Sequence, residues 1–140
     1  MAELTRHRLA SFSVESTRFN DYKELTFIKP CFWNEIDENF EGWSLAIQSH
    51  EKGYKVFREE GVTPEQARAI LPNSLKTEIV MTANLREWRT ILKLRTAKDA
   101  HPQMRQVALM ILEVLKEKLP VIFEDIGIKN GDTVIIKCDD

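Results

Sequence analysis

The sequence predicts an α+β fold, mostly helical with a small antiparallel sheet, in a single domain over residues 1-140. Three observations carry that expectation. Apolar residues recur at helical spacing along much of the chain, most strongly over Met104–Leu119. Short β-rich stretches stand at Thr77–Ala83 and Thr133–Lys137. The chain has 140 residues, 43% of them hydrophobic, which suffices for one core, and no repeat or low-complexity linker divides it.

The elements follow in order. Residues 1-12 form a short element around Leu4, Leu9, Ala10 and Phe12, whose pattern fits either helix or strand. Residues 13-24 are polar and read as a loop. Leu25–Ile28 is an apolar run stopped by Pro30 and fits an extended segment. From Asn34 to Glu60 the spacing of Phe40, Trp43, Ile47, Tyr54 and Phe57 predicts a helix, weakened by Gly42 and Gly53 and stopped at Gly61. Thr63-Pro64-Glu65 opens another helix, with threonine as cap, proline in the first turn and a carboxylate at the positive end of the dipole; it ends by Pro72. Thr77–Ala83 is a strand, and Leu85–Leu94 a helix with Asn84 near its cap. Met104, Val107, Ala108, Ile111, Leu112, Leu115 and Leu119 make one apolar stripe, between Pro102 at its start and Pro120 at its end. Asn130-Gly131-Asp132 is a turn into a terminal strand.

Composition excludes several classes. The net charge of -2 gives no global basic field, so no nucleic-acid partner is expected and an anion site must be a local cluster. Cys31 and Cys138 lack a CxxC spacing, and no signal peptide is evident, which points to reduced thiols in the cytoplasm. No apolar run approaches a membrane span. His7, His50 and His101 share no metal-ligand spacing, so no metal site is expected.

The chemistry-bearing residues cluster early. Arg6-His7-Arg8 places three potential cations in a row; an arbitrary triplet of this kind is a solvated basic turn, but two arginines also supply planar donor forks suited to phosphate. Ser11, Ser13, Ser16 and Thr17 add hydroxyl donors, Arg18 another fork, and Glu15 an acceptor for a base or ribose. Such a cluster fits a ligand with phosphate and polar ring edges. It begins almost at Met1, with little scaffold before it, so the expectation is a fragment or a site completed by a partner subunit. Arg86 and Arg95 lie nine positions apart and do not share a helix face; spacing alone makes Arg86 a surface charge and leaves Arg95 open. Arg68, in the last turn of a short helix, reads as a partner of the helix dipole. Glu35, Asp37, Glu38 and Glu41 read as a solvated acidic face, and Trp33, Trp43 and Trp88 as core or interface.

Arg6-His7-Arg8, seven residues and then Ser16 resembles the signature of flavin-dependent thymidylate synthases, and Glu15-Ser16-Thr17-Arg18-Phe19 resembles one variant of its ending. Ala67-Arg68-Ala69-Ile70-Leu71-Pro72 is similar to the family's A-R-x-x-L-P block. Asn84-Leu85-Arg86-Glu87 through Leu94-Arg95 is similar to its N-x-R-E…L-R block. The blocks stand in the family's order. The resemblance implies the C-terminal part of that fold, N-terminally truncated, in a homotetramer whose sites form between subunits. It implies FAD held by Arg6, His7, Arg8, Ser13, Asn84 and Arg86, with Thr90 where the family often has Asn or His near the flavin. Deoxyuridine monophosphate (dUMP) would be lined by Glu3, Glu15, Ser16, Thr17, Arg18, Arg68 and Arg95, with Arg18 on the phosphate and Glu3 and Arg68 reaching across a subunit boundary. Arg95 would be catalytic, polarising the uracil ring. The implied reaction is reductive methylation of dUMP to dTMP with methylenetetrahydrofolate, reduced FAD and NADPH. The alternative is a non-catalytic remnant that oligomerises and at most binds nucleotide or FAD.

Overall fold

The computed structural model describes residues 3–130 and 132–135. The architecture is α+β. In chain order it has strand β1 (Ala10–Val14), helices α1 (Glu38–Glu59) and α2 (Pro64–Ala67), a 3-10 turn at Arg68–Ile70, strand β2 (Ile79–Ala83), helices α3 (Leu85–Arg95), α4 (Pro102–Lys118) and α5 (Pro120–Phe123), and strands β3 (Ile126–Lys129) and β4 (Asp132–Ile135). β1 pairs with β2, and β3 with β4. Among the described residues no helix is long and apolar enough to cross a membrane. The chain divides into two compact units: one runs from its start to Phe12 and resumes from Met81 onward, and the other is Ser13–Val80.

The first unit is built on α3 and α4. Asn84 adopts an extended cap conformation and its side chain accepts from the Glu87 amide at 2.8 Å, satisfying one of the orphan donors of the first turn of α3. Leu92 of α3, Leu112 of α4, Phe123 of α5 and Ile126 of β3 form the buried core, with Trp88, Ile111, Leu115 and Ile122 packed against it. The expected stripe on α4 is therefore narrower than its sequence pattern. Ala108 and Leu112 are buried, but Val107 is 45% exposed and Leu119 lies past the end of the helix. Arg89 fastens α3 to the α5–β3 junction: its two terminal nitrogens donate to the Asp125 carboxylate at 2.7 and 2.6 Å, and Nη1 also donates to the Ile122 carbonyl. The hydrogen bonds from Arg89 hold the Asp125 carboxyl below the usual carboxylate range, against the opposing effect of burial.

β3, which the sequence pattern did not disclose, pairs antiparallel with β4 in the register Ile126↔Ile135 to Lys129↔Asp132. Lys129 and Asp132 are the last pair of that register, and Asn130 beyond Lys129 takes a left-handed φ of 53°, which asparagine tolerates. The last residues of the expected terminal strand, Ile136 and Lys137, lie outside the described residues.

The second unit is carried by α1. Helix α1 starts at Glu38 rather than Asn34, because the Asp37 carboxylate turns back to accept from the Asn34 amide at 2.7 Å and closes a turn before the helix. Its end is a complete Schellman arrangement: the Gly61 amide bonds the Arg58 carbonyl, the Val62 amide bonds the Phe57 carbonyl, and Gly61 has a φ of 83° that favours glycine. Ile47 and Tyr54 are its buried residues, while Phe57, expected on the same face, is exposed. At Gly53 a Cβ would meet the Ile70 Cδ1 at 2.5 Å, so the end of the Ile70 side chain packs over the glycine. The α2 start is corrected in one respect. Thr63 occupies the cap position but makes no side-chain cap bond; its carbonyl instead accepts from the Gln66 and Ala67 amides. Phe27 and Leu75 form an isolated antiparallel bridge, so the apolar run at Leu25–Ile28 is extended at its centre.

Phe123 is fully buried whereas Val121, two positions before it, is 90% exposed. Phe123→Ala is expected to destabilise the chain by about 3–5 kcal/mol, and Val121→Ala by less than about 0.5 kcal/mol, read from denaturant midpoints. Acid titration gives a second check. Because Asp125 is shifted downward in the folded chain, its contribution is complete above the unfolded aspartate pKa of about 3.9 and falls away as pH drops through the lower folded value. Asp125→Asn should flatten the stability–pH curve in that acid window and leave its shape at neutral pH unchanged.

Candidate functional site

In the first unit the N-terminal segment lies against α3. Residues 3–6 form a turn closed by the His7 amide on the Leu4 carbonyl at 3.0 Å. Along the basic triplet the side chains alternate: Arg6 and Arg8 are exposed and His7 is 5% exposed. His7 Nδ1 lies 3.3 Å from Glu87 Oε1, and Nε2 accepts from Arg95 Nε at 3.1 Å. Arg95 also donates through Nη1 to Glu3 Oε2 at 3.0 Å. A chain of four ionisable groups, Glu3–Arg95–His7–Glu87, thus ties the start of the sequence to both ends of α3. Arg95 is half-buried here, so the question that spacing left open is settled: it is not a surface charge. Asn84, Arg86 and Thr90 are exposed on the first turns of the same helix, and the Thr90 hydroxyl donates to the Arg86 carbonyl at 3.3 Å.

In the second unit the segment after β1 is a polar turn. The Ser16 carbonyl accepts from the Phe19 and Asn20 amides, and Ser16 Oγ accepts from the Arg18 amide at 3.3 Å. The Glu15 carboxylate accepts from Asn20 Nδ2 at 2.8 Å, which fixes its direction. Arg18 Nη2 lies 2.9 Å from Glu65 Oε1 of α2, both groups more than half exposed, and its guanidinium lies 5.3 Å from the Phe19 ring centroid. Arg68 Nη1 donates to Thr17 Oγ1 at 2.9 Å across 51 positions of sequence. Arg68 is therefore more than a helix-dipole partner: it is bonded to the polar turn. Ser13 is exposed on β1.

The structure accordingly gathers the expected residues in two sets. Glu3, Arg6, His7 and Arg8 accompany Asn84, Arg86, Thr90 and Arg95 in one unit; Glu15, Ser16, Thr17 and Arg18 accompany Arg68 in the other. Sequence reasoning did not single out Glu87, Glu65 or Asn20. Glu87 carried a usable signal, since Asn84-Leu85-Arg86-Glu87 has capping-box spacing. Its carboxylate is used differently, lying against His7.

Residues 1–121 match the family described as thymidylate synthase complementing protein. Curated relatives bear the name flavin-dependent thymidylate synthase. The one from Kosmotoga olearia is 33% identical over 89% of this chain and 61% of its own length. Those from Geobacter sulfurreducens and Thermococcus onnurineus are 32% and 38% identical over 89% and 86% of this chain, and 55% and 52% of their own lengths. The chain thus spans between about half and three-fifths of the curated relatives it matches. With a family match over most of its length, and the basic triplet, the polar turn and the α3 arginines all inside the matched region, the chain belongs to the thymidylate synthase complementing protein family.

Proposed function

We propose that this chain is part of a flavin-dependent thymidylate synthase that reductively methylates dUMP to dTMP, using methylenetetrahydrofolate as carbon donor, NADPH as reductant and FAD as bound cofactor, within a homotetramer. The observation that carries the reading is the bond from Arg68 to Thr17, which joins two sequence blocks 51 positions apart into one anion-suited surface. Arg18 stands on the same polar turn. Its present partner, Glu65, is a solvent-exposed carboxylate, and such pairs contribute only about 0–1 kcal/mol. A nucleotide phosphate can replace that carboxylate at little cost and accept two parallel hydrogen bonds from the guanidinium. Glu15, aimed by Asn20, is an acceptor for a ribose hydroxyl or a base N–H.

The residues of the other set suit FAD. Arg6, Arg8 and Arg86 are exposed guanidinium groups, the donor type that matches diphosphate oxygens. Asn84 and Thr90 offer exposed polar groups along the start of α3. The flavin, when bound, supplies the hydride chemistry. Arg95 has a different task. Held by His7 and Glu3, its guanidinium is an ordered donor for a pyrimidine carbonyl, stabilising negative charge that develops on the ring.

Two experiments test this reading. The purified chain, mixed with FAD and passed through gel filtration, should carry flavin absorbance; a colourless protein after FAD addition overturns the catalytic reading and leaves the non-catalytic remnant. Arg18→Ala should weaken dUMP binding more than FAD binding in calorimetric titrations, whereas Arg95→Ala should lower tritium release from labelled dUMP on the order of a hundredfold while the circular dichroism spectrum is retained. Equal loss of both ligands in Arg18→Ala contradicts the assigned division between the two sets.

A further inference from the structure

The geometry points to Glu87 as a positioning residue that fixes the tautomer of His7 and, through it, the direction of the Arg95 guanidinium. The inference rests on the proposed role of Arg95 toward the nucleotide, but its structural content stands on the first unit alone.

The argument is one of donors and acceptors. Arginine Nε always carries its proton, so at 3.1 Å His7 Nε2 can only be an acceptor. The proton of the neutral ring then resides on Nδ1, 3.3 Å from Glu87 Oε1. The opposite tautomer would be wrong twice, setting Nε2–H against the arginine N–H and the Nδ1 lone pair against a carboxylate. Burial makes these conflicts costly, since His7 and Glu87 are 5% and 8% exposed and water is poorly placed to compensate. Glu87 is itself held: its amide donates to Asn84, which anchors the residue in the first turn of α3, while Arg95 lies in the last turn of the same helix. His7 therefore spans the helix, and each ring nitrogen is matched to one end. Both polar atoms of the ring are engaged inside the protein, which separates His7 in function from its neighbours Arg6 and Arg8. Glu3 holds the other side of the guanidinium, through Nη1.

The test is nuclear magnetic resonance on the full chain with 15N-labelled histidine and arginine, the His7 signals being assigned by their loss in His7→Gln. Long-range 1H–15N spectra should show His7 protonated at Nδ1 and unprotonated at Nε2. Glu87→Gln, which keeps an acceptor oxygen, should retain that pattern and the Arg95 Nε–H resonance. Glu87→Ala should lose the Nδ1–H pattern and shift the Arg95 resonance. A wild-type His7 protonated at Nε2 overturns the proposal, as does a Glu87→Ala chain whose tautomer and Arg95 signal are unchanged. Should Glu87→Ala fail to fold, the wild-type tautomer and Glu87→Gln decide. Neither flavin nor nucleotide is needed for this readout. A wrong tautomer therefore removes the positioning role without touching the family reading, and a correct tautomer in a chain that binds no nucleotide removes the catalytic reading without touching the His7 bridge.

Discussion

The chain of charges Glu3–Arg95–His7–Glu87 is the constraint on which the candidate site depends. A guanidinium and a carboxylate removed from most of their water are costly unless each is matched, and removing one member of a buried pair costs about 3–5 kcal/mol because the other is left stranded. The four groups range from almost fully buried at His7 to part-exposed at Glu3, so the cost of losing a partner is graded along the chain. Its consequence is positional. Residues 3–9, which among the described residues form no strand or helix, are fixed by side-chain bonds to α3 rather than by backbone pairing. Whatever binds at Arg6 and Arg8 inherits its geometry from this helix.

Helix α3 can serve as that reference because its own ends are determined. Asn84 closes the N-terminus, Arg89 is bonded to Asp125, and Leu92 lies in the core with Phe123 and Ile126. Polar and apolar restraints act on successive faces of an eleven-residue helix, and isolated helices of that length are marginal in water. Its order is a product of tertiary packing, so the site is only as ordered as the core beneath it.

Much of this was legible in the sequence where the determinant is local. The bounds of α3 and α4, the stop at Gly61 and the Asn130 turn follow from caps, proline and glycine, whose effects reach only a few residues. What escaped is non-local. β3 is four residues with a glycine inside, too short for a pattern, and exists because β4 pairs with it. Val107 fits the stripe on α4 by spacing, yet the helices and strand packed on that face do not extend to it. Arg68 and Arg18 carried no sign of their partners, because the bonds to Thr17 and Glu65 span many residues. The family resemblance pointed to residues that spacing could not, but it did not distinguish which of them spend their polar atoms inside the protein.

The basic triplet shows why that distinction matters. Three adjacent cationic side chains read as one clamp, whereas here the middle one is buried and its two neighbours are exposed. His7 turns inward to Glu87 and Arg95, and Arg6 and Arg8 turn outward. A third arginine at this position could not accept from Arg95 Nε as His7 Nε2 does, whereas an imidazole can accept at one ring nitrogen and carry its proton on the other, toward Glu87. Lysine or arginine at this position would bring a second permanent cation against Arg95 with no acceptor to offer it. The two flanking arginines are thereby placed by the residue between them.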